Sequence, residues 1–243
     1  MRPLFIVVMI LLTSKICQGQ TYNKDKTCGA DTIYIDTRSL KTGDGINYKA
    51  FSCTQVSHFG IRVNLGFSWF SHYGGTKKWI GNHNAGVFGL ALVYGKFNLG
   101  VDFKLTTVTP GSKLVFSSDT LTPEAKLNPI KAVFFTGYSI DLKNNFSLEP
   151  HVGITKNSFY VINEKELNTS FNIPKVYGLN SGVTLNKYFR LKEFQFISVF
   201  FSYNYGFTNF KKINSNLGKG YSEWSCGLSY KVFGKRSFHE RLN

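Results

Sequence analysis

Glu149 and His151, two residues apart in the segment LEPHVG, are the side chains whose types and spacing most readily suggest chemistry. In a β-strand, residues i and i+2 point to the same face, so the carboxylate and the imidazole would be neighbours. A carboxylate beside an imidazole can orient a general base. No serine is tied to the pair by a recognisable motif, however. A buried network of ion pairs is the favoured interpretation, and we predict no catalytic residue.

Two other segments offer weaker signals. GNHNAG (Gly81 to Gly86) contains His83 but has the composition of a turn. LGKG (Leu217 to Gly220) lacks the full pattern of a phosphate-binding loop. No spacing of cysteine and histidine is typical of a zinc site. We therefore predict neither a metal nor a cofactor.

The elements that must position these residues are strands, because large apolar residues recur at every second position. The segments are about 10 to 14 residues long, whereas globular strands average about 5 to 6 and tilted membrane strands need about 9 to 11. Their length therefore favours strands that cross a membrane. In chain order, the eight segments are 60–73, 85–94, 98–109, 130–142, 146–155, 176–186, 195–207 and 222–232.

The connections between these strands alternate in length. Those at 74–84, 110–129, 157–175 and 208–220 are long and polar, whereas those at 95–97, 143–145 and 188–193 are short. Outer-membrane barrels combine short periplasmic turns with longer extracellular loops. The pattern predicts an all-β, antiparallel, up-and-down transmembrane barrel of eight strands with both termini in the periplasm.

The strand faces opposite the apolar ones carry glycines and charges. Glycine weakens a strand and is retained where another group must approach closely, which the crowded interior of a small barrel requires. Charges enclosed there must be paired, because an unpaired buried charge is costly. We predict a polar network in the lumen made by Arg62, Asp102, Lys104, Lys131, Glu149, His151 and Glu223.

The N-terminal residues have the pattern of a secretory signal peptide. Arg2 precedes the apolar run Leu4 to Leu12, and Gly19 offers a cleavage site. We expect residues 1–19 to be removed, 20–58 to form a periplasmic or barrel-packed segment, 59–234 to form the barrel, and 235–243 to form a tail. Residues 20–58 could instead add a hairpin and extend the barrel to ten strands.

Three cysteines follow the predicted signal peptide. Cys28 and Cys53 flank one N-terminal segment and could form a disulfide in an oxidising compartment. Cys226 shares a strand face with Trp224 and Leu228, so we expect a packed or lipid-facing thiol.

The chain is strongly basic, with a formal net charge of +15. Such a charge suits nucleic acid, an anionic membrane surface or an acidic partner, and export argues against nucleic acid. Lysines in the predicted outer loops could contact anionic lipid: Lys77, Lys78, Lys211, Lys212 and Lys219.

Residues 59–234, with alternating strands such as GVFGLALVYGKFNLGVDF, resemble the small eight-stranded outer-membrane β-barrel proteins of Gram-negative bacteria, the OmpA/OmpX-like class. The chain departs from that class where Phe233 is followed by GKRSFHERLN instead of ending the last strand with an aromatic residue.

The resemblance implies a non-enzymatic integral outer-membrane protein with a structural, surface-binding or complex-subunit role. Its implied partners are outer-membrane lipids, lipopolysaccharide and a larger outer-membrane protein complex. The alternatives are an outer-membrane enzyme that modifies lipid A and a soluble, exported, lipocalin-like binder with its apolar faces inward.

Overall fold

The fold is taken from a computed structural model of the chain, which describes residues 32–41, 47–116, 119–164, 171–192 and 194–241. Side chains are described for 57–116, 120–164, 171–192 and 194–234. The predicted signal peptide, Cys28 and the side chain of Cys53 lie outside these residues, so cleavage and the disulfide stay predictions.

The chain folds almost entirely into antiparallel strands. In chain order the elements are β1 (Thr32–Lys41), β2 (Asn47–Tyr73), α1 (Gly74–Ile80), β3 (His83–Tyr94), β4 (Phe97–Leu105), β5 (Leu114–Phe116), β6 (Asp119–Leu121), β7 (Leu127–Tyr138), β8 (Ile140–Asp141), β9 (Phe146–Val161), β10 (Val176–Lys192), β11 (Gln195–Thr208) and β12 (Leu217–Arg241). Eight of them, β2, β3, β4, β7, β9, β10, β11 and β12, pair in that order, and β12 pairs back onto β2. The predicted eight-stranded antiparallel barrel is confirmed.

The strands are staggered around the barrel. Following the paired residues once around from Val93 on β3 leads back to β3 at His83, ten residues away. A stagger of this kind accompanies strands that tilt by about 35–45° to the barrel axis. At this size the interior is filled by side chains.

Inward and outward residues alternate along each wall strand, as the sequence predicted. In β3 the burial alternates at every residue from Ala85 to Tyr94. In β4, Leu99 and Phe103 are exposed on the outer surface, whereas Asn98 and Lys104 are buried in the lumen. The apolar face of this hairpin therefore points outward. Among the described residues, no helix is long and apolar enough to cross a membrane.

A small sheet extends beyond the barrel wall at the short-turn end. There β1 pairs with the first part of β2, and residues 235–241 of β12 pair with Ala50 to Val56 of β2. Residues 32–41 and 47–56 thus pair outside the closed barrel, which has eight strands and not ten. The last strand also runs through residues that the sequence assigned to a tail.

The long connections at the opposite end fold into a compact layer that the sequence did not predict. We call this layer the loop cap: the described residues of 74–82, 106–126, 162–175 and 209–216. Its side chains form an apolar core with the barrel rim, in which Trp79, Phe116, Leu121 and Phe210 are at most 2% exposed. Hydrogen bonds also hold the layer together. For example, Asn214 Nδ2 donates to Val115 O (2.6 Å) in another connection, and the N–H of Gly218, at the start of β12, donates to Thr76 Oγ1 (2.9 Å).

Gly206 on β11 is needed for packing beneath the loop cap. The ring of Tyr221 lies directly against it, and a methyl group at Gly206 would overlap ring atoms. Because overpacking a filled interior costs about 1–3 kcal/mol, Gly206→Ala should lower the free energy of unfolding by about that amount. Urea unfolding in lipid vesicles, followed by tryptophan fluorescence, measures the change.

Gly86→Ala is the matched control. Its added methyl group would lie 3.9 Å from the nearest heavy atom outside its chain neighbours, Leu105 O. Equal destabilisation by both substitutions would contradict a specific requirement at Gly206.

Candidate functional site

The lumen contains a buried cluster of three charges near the loop cap. Glu223 on β12 is fully buried, and its carboxylate accepts hydrogen bonds from Lys104 on β4 and from Lys131 on β7, with 2.7 Å from Lys131 Nζ to Oε2. Ser68 and Ser225 also donate to Oε1, at 2.9 and 2.8 Å. This carboxylate therefore has the charge-assisted partners that a buried anion requires.

The ammonium of Lys131 is also held by aromatic rings. Its Nζ lies 3.9 Å from the ring centroid of Tyr221 and 4.8 Å from that of Phe70. Such cation–π contacts are stronger when water is excluded. The ammonium is thus fixed between a carboxylate and the apolar core of the loop cap.

A second ion pair lies nearer the short-turn end. Arg62 on β2 binds both carboxylate oxygens of Glu149 on β9, with NH1 to Oε2 at 2.5 Å and NH2 to Oε1 at 3.0 Å. Both side chains are buried. This two-bond geometry is the strongest form of an arginine–carboxylate contact.

His151 does not use the carboxylate of Glu149. Its Nε2 lies 2.6 Å from Asn204 Oδ1 and its Nδ1 lies 3.2 Å from the backbone oxygen of Glu149. The residues paired with His151 on the neighbouring strands are Gly137 and Gly182. Glu149 and His151, which suggested an acid that orients a base, therefore bind different partners: Arg62 and Asn204.

Asp102 is the remaining residue of the predicted network. It belongs to β4, where it is paired with Gly89, and its Oδ1 has no hydrogen-bond partner. The structure thus brings Lys104, Lys131 and Glu223 together and joins Arg62 to Glu149. It leaves Asp102 and His151 outside both sets of ion pairs.

The lumen has little free space. The cavity that adjoins Arg62, Asp102 and Glu149 measures about 40 Å³, enough for a few water molecules. An acyl chain would not fit there, which removes the geometric support for Glu149 and His151 as a lipid-modifying pair. Among the described residues, no group of three or more His, Cys, Asp or Glu side chains could hold a metal ion.

Sequence reasoning missed the uncharged partners of the network. Ser225 and Tyr221 flank Glu223 at two-residue spacing and share its face, and Ser68 and Asn204 have the same inward phase on their own strands. The alternation of inward and outward residues along each strand could have assigned them to the lumen. It could not have identified the residues that they bind.

The five predicted lipid-contact lysines all lie at the loop-cap end. Lys77 and Lys78 lie in the last turn of α1, Lys211 and Lys212 lie in a 3₁₀ turn, and Lys219 is the third residue of β12. All are exposed, and the buried side chains of Trp79 and Phe210 anchor the first two groups.

The cap surface is predominantly basic, because Glu124 and Glu164 are the carboxylates among its described side chains. The Glu164 carboxylate accepts a hydrogen bond from the backbone N–H of Phe171, at 3.1 Å.

Cys226 lies on the outward face of β12, paired with Phe67 and Phe201. It is a partly exposed free thiol.

Glu223→Gln would leave Lys104 and Lys131 buried without their shared counter-charge. Removing one partner of a buried ion pair costs about 3–5 kcal/mol, and we expect a loss of that size in the free energy of unfolding in vesicles. Adding Lys131→Met to Glu223→Gln should recover part of the loss, because one uncompensated charge is removed.

The control is Asp141→Asn, which breaks the exposed pair between Asp141 Oδ2 and Lys96 Nζ at 3.6 Å. Exposed ion pairs contribute about 0–1 kcal/mol, so this change should be small. Similar losses for Asp141→Asn and Glu223→Gln would refute the special role of the buried cluster.

Comparisons with known proteins give similar folds at low sequence identity. No protein-family model and no curated protein sequence matches the chain. Neisserial surface protein A is 12% identical with a TM-score of 0.44, and the match covers 73% of this chain and 97% of that one. The outer membrane protein OprG from Pseudomonas aeruginosa is 14% identical with a TM-score of 0.40, covering 76% and 98%.

Ail, the attachment invasion locus protein of Yersinia pestis, is 16% identical with a TM-score of 0.41, covering 72% of this chain and 97% of that one. At these values the similarities carry no argument about function. The fold itself, a closed eight-stranded antiparallel barrel with an apolar exterior and a polar interior, is the architecture of the small outer-membrane barrels.

Proposed function

We propose that this chain is a non-enzymatic integral outer-membrane protein, exported by a cleaved signal peptide, whose barrel anchors a basic loop cap at the cell surface. The observation that carries the proposal is the apolar belt around the barrel. Large apolar side chains are exposed on the outward faces of successive strands; Leu65, Leu179 and Leu228, for example, are 57%, 63% and 58% exposed.

A continuous belt of this kind would be unstable in water. Soluble monomers rarely expose contiguous apolar patches larger than a few hundred Å². In a bilayer the same side chains contact lipid, while the closed sheet satisfies its backbone hydrogen bonds internally. The polar lumen also argues against a lipocalin-like binder, whose apolar faces would line the interior.

Aromatic side chains at both ends of the wall strands support the membrane placement. Trp69 and Trp224 are paired neighbours toward the loop cap, and both are 44% exposed. Toward the short turns, Phe97 and Tyr138 are exposed and their ring centroids lie 5.0 Å apart. Aromatic girdles at the two interfaces are typical of membrane barrels.

The filled lumen and the packed cap favour a structural, surface-binding or complex-subunit role over a general diffusion pore. Among these roles, the lysines of the cap favour surface binding. Clustered lysines attract the phosphate groups of anionic lipids, with each lysine near the surface contributing about 1 kcal/mol. The partner we propose is lipopolysaccharide.

The substitution Leu228→Arg tests whether the apolar belt faces lipid. An arginine facing lipid near the bilayer midplane costs about 2–4 kcal/mol, and one near the interface costs about 0–1 kcal/mol. We therefore expect Leu228→Arg to weaken folding into vesicles by about 2–4 kcal/mol in urea titrations, and Tyr73→Arg at the end of β2 to have a much smaller effect. Equal effects, or recovery of the native chain in the soluble fraction of cells, would overturn the proposed placement.

Lys78, Lys211 and Lys212 test the surface role. Changing all three to Gln should weaken binding to lipopolysaccharide vesicles at least about 10-fold at low salt, because up to about 3 kcal/mol of attraction is removed. Binding to immobilised vesicles, measured at two salt concentrations, reports the change.

The matched control changes three exposed lysines at the opposite end: Lys96, Lys143 and Lys192. It removes the same charge and should leave binding within about twofold. Unaltered binding by the cap variant, or equal loss in both variants, would reject a binding surface on the cap.

A further inference from the structure

The short-turn end of the lumen contains a polar layer separate from the Glu223 cluster. Four consecutive wall strands contribute to it: Ser147 from β9, Asn186 and Tyr188 from β10, Ser198 from β11 and Ser229 from β12. They are neighbours in the strand register, since Ser147 is paired with Asn186, Tyr188 with Ser198, and Ser198 with Ser229. These five residues form a continuous polar strip across the wall.

Each residue of the strip has a buried polar atom without a hydrogen-bond partner. The atoms are the hydroxyl oxygens of Ser147, Tyr188, Ser198 and Ser229 and the Nδ2 of Asn186. Apart from Tyr188, these side chains are at most 2% exposed. Buried polar groups in native proteins are nearly always satisfied by protein, water or a bound ion. Five neighbouring exceptions therefore call for a common partner, which water or a bound ion would supply.

Lys231 adds a positive charge to the same layer. It is 8% exposed, and its Nζ lies over the rings of Tyr188 (4.8 Å) and Phe233 (5.4 Å). Within the described part of the chain, its ammonium makes no ion pair. A buried ammonium is stabilised by an anion more than by aromatic rings alone.

Arg62 is the residue paired with Lys231 on β2. Its terminal nitrogens are used by Glu149, but its Nε is buried and has no partner. Arg62 also lines the same cavity as two carboxylates, Glu149 and Asp102. Over the whole described lumen, one positive charge remains in excess, because four cations face three carboxylates: Arg62, Lys104, Lys131 and Lys231 against Asp102, Glu149 and Glu223.

The unpartnered groups of the strip can all donate hydrogen bonds. They comprise four hydroxyls and an amide N–H, next to the ammonium of Lys231 and the N–H of Arg62. Two acceptors, Asn98 Oδ1 and Asp102 Oδ1, also lack partners, but both residues lie on β4, outside the strip. Water could satisfy the hydroxyls, but it would not give the ammonium of Lys231 an ion-pair partner. Buried groups that can donate, placed beside an ammonium that makes no ion pair, are the chemistry of an anion site.

We propose that this layer, formed by Ser147, Asn186, Ser198, Ser229 and Lys231, binds a small inorganic oxyanion of the phosphate or sulfate class. Tyr188 is half-buried at the short-turn end, which gives the site access from that mouth of the barrel. Arg62 and Asn186 also line the cavity of about 40 Å³ in the middle of the lumen, so free space reaches the layer at Asn186. The site uses none of the cap lysines and does not depend on the surface role.

Inorganic phosphate is the probe for this site. The full mature chain is refolded in a detergent free of phosphate groups and titrated with phosphate at constant ionic strength. Backbone amide resonances of Ser198 and Ser229 report the lumen, and the exposed Lys219 reports the cap. We expect saturable shifts at the two serines, with sulfate competing and chloride at equal concentration competing much less.

Lys231→Met retains most of the side-chain volume and removes the charge. It should raise the Kd for phosphate at least about 10-fold, since a charge-assisted hydrogen bond is lost. Lys219→Met removes the same charge from the cap and should leave the Kd unchanged. The double variant Ser198→Ala/Ser229→Ala keeps every charge and should weaken binding several-fold. Heat-modifiable gel migration shows whether each variant folds. If Lys231→Met does not fold, the double variant decides the test.

Four results would overturn the site. They are the absence of saturable shifts at Ser198 and Ser229, unchanged binding in both lumen variants, loss of binding in Lys219→Met as large as in Lys231→Met, and chloride competing as well as sulfate. The third result would show an adventitious surface ion only, and the fourth would exclude a site built for an oxyanion.

Discussion

Closure of the sheet is the constraint on which the rest of this structure depends. Because β2 pairs with β3 on one side and with β12 on the other, every wall strand has two neighbours. An open edge in hydrocarbon would leave backbone N–H and C=O groups without partners, at a cost of several kcal/mol each. Closing eight strands with a stagger of ten residues also encloses an interior too narrow for bulk water. Inward polar groups must then find partners among themselves.

The lumen satisfies this requirement differently along its length. Near the loop cap, Glu223 has partners for both carboxylate oxygens, and the ammonium of Lys131 is covered by aromatic rings. In the middle, Arg62 binds Glu149 through its two terminal nitrogens. Toward the short turns, five neighbouring polar groups have no partner among the described residues, and Lys231 makes no ion pair with them. The two mouths of the barrel thus differ chemically: one is covered by an apolar core and the other is lined with unpartnered polar groups.

The fold was predictable because period-two alternation is a local signal that each strand carries independently. The same signal assigns Arg62 and Glu149 to the lumen, since each shares its phase with glycines and opposes leucines. It does not show that they bind each other. Their contact joins β2 to β9 and depends on the accumulated stagger of the strands between them, which no single segment encodes.

The loop cap was not predicted from the sequence for a similar reason. Trp79, Phe116 and Phe210 lie in three separate connections and form one core only after the barrel has brought the connections together.

The sheet that continues past the barrel has a consequence for the order of folding. The seam between β2 and β12 joins strands from opposite ends of the chain, and its ladder runs from Tyr221 paired with His72 to Arg241 paired with Ala50. It is the longest ladder among the described strands. Such non-local pairing forms late, because the intervening chain must first lose its freedom, although each doubling of that chain adds only about 0.6 kcal/mol. The pairing with the large loop-closure cost is therefore also the one with the longest ladder. The pairs that continue past the wall oppose separation of the two strands that close the barrel.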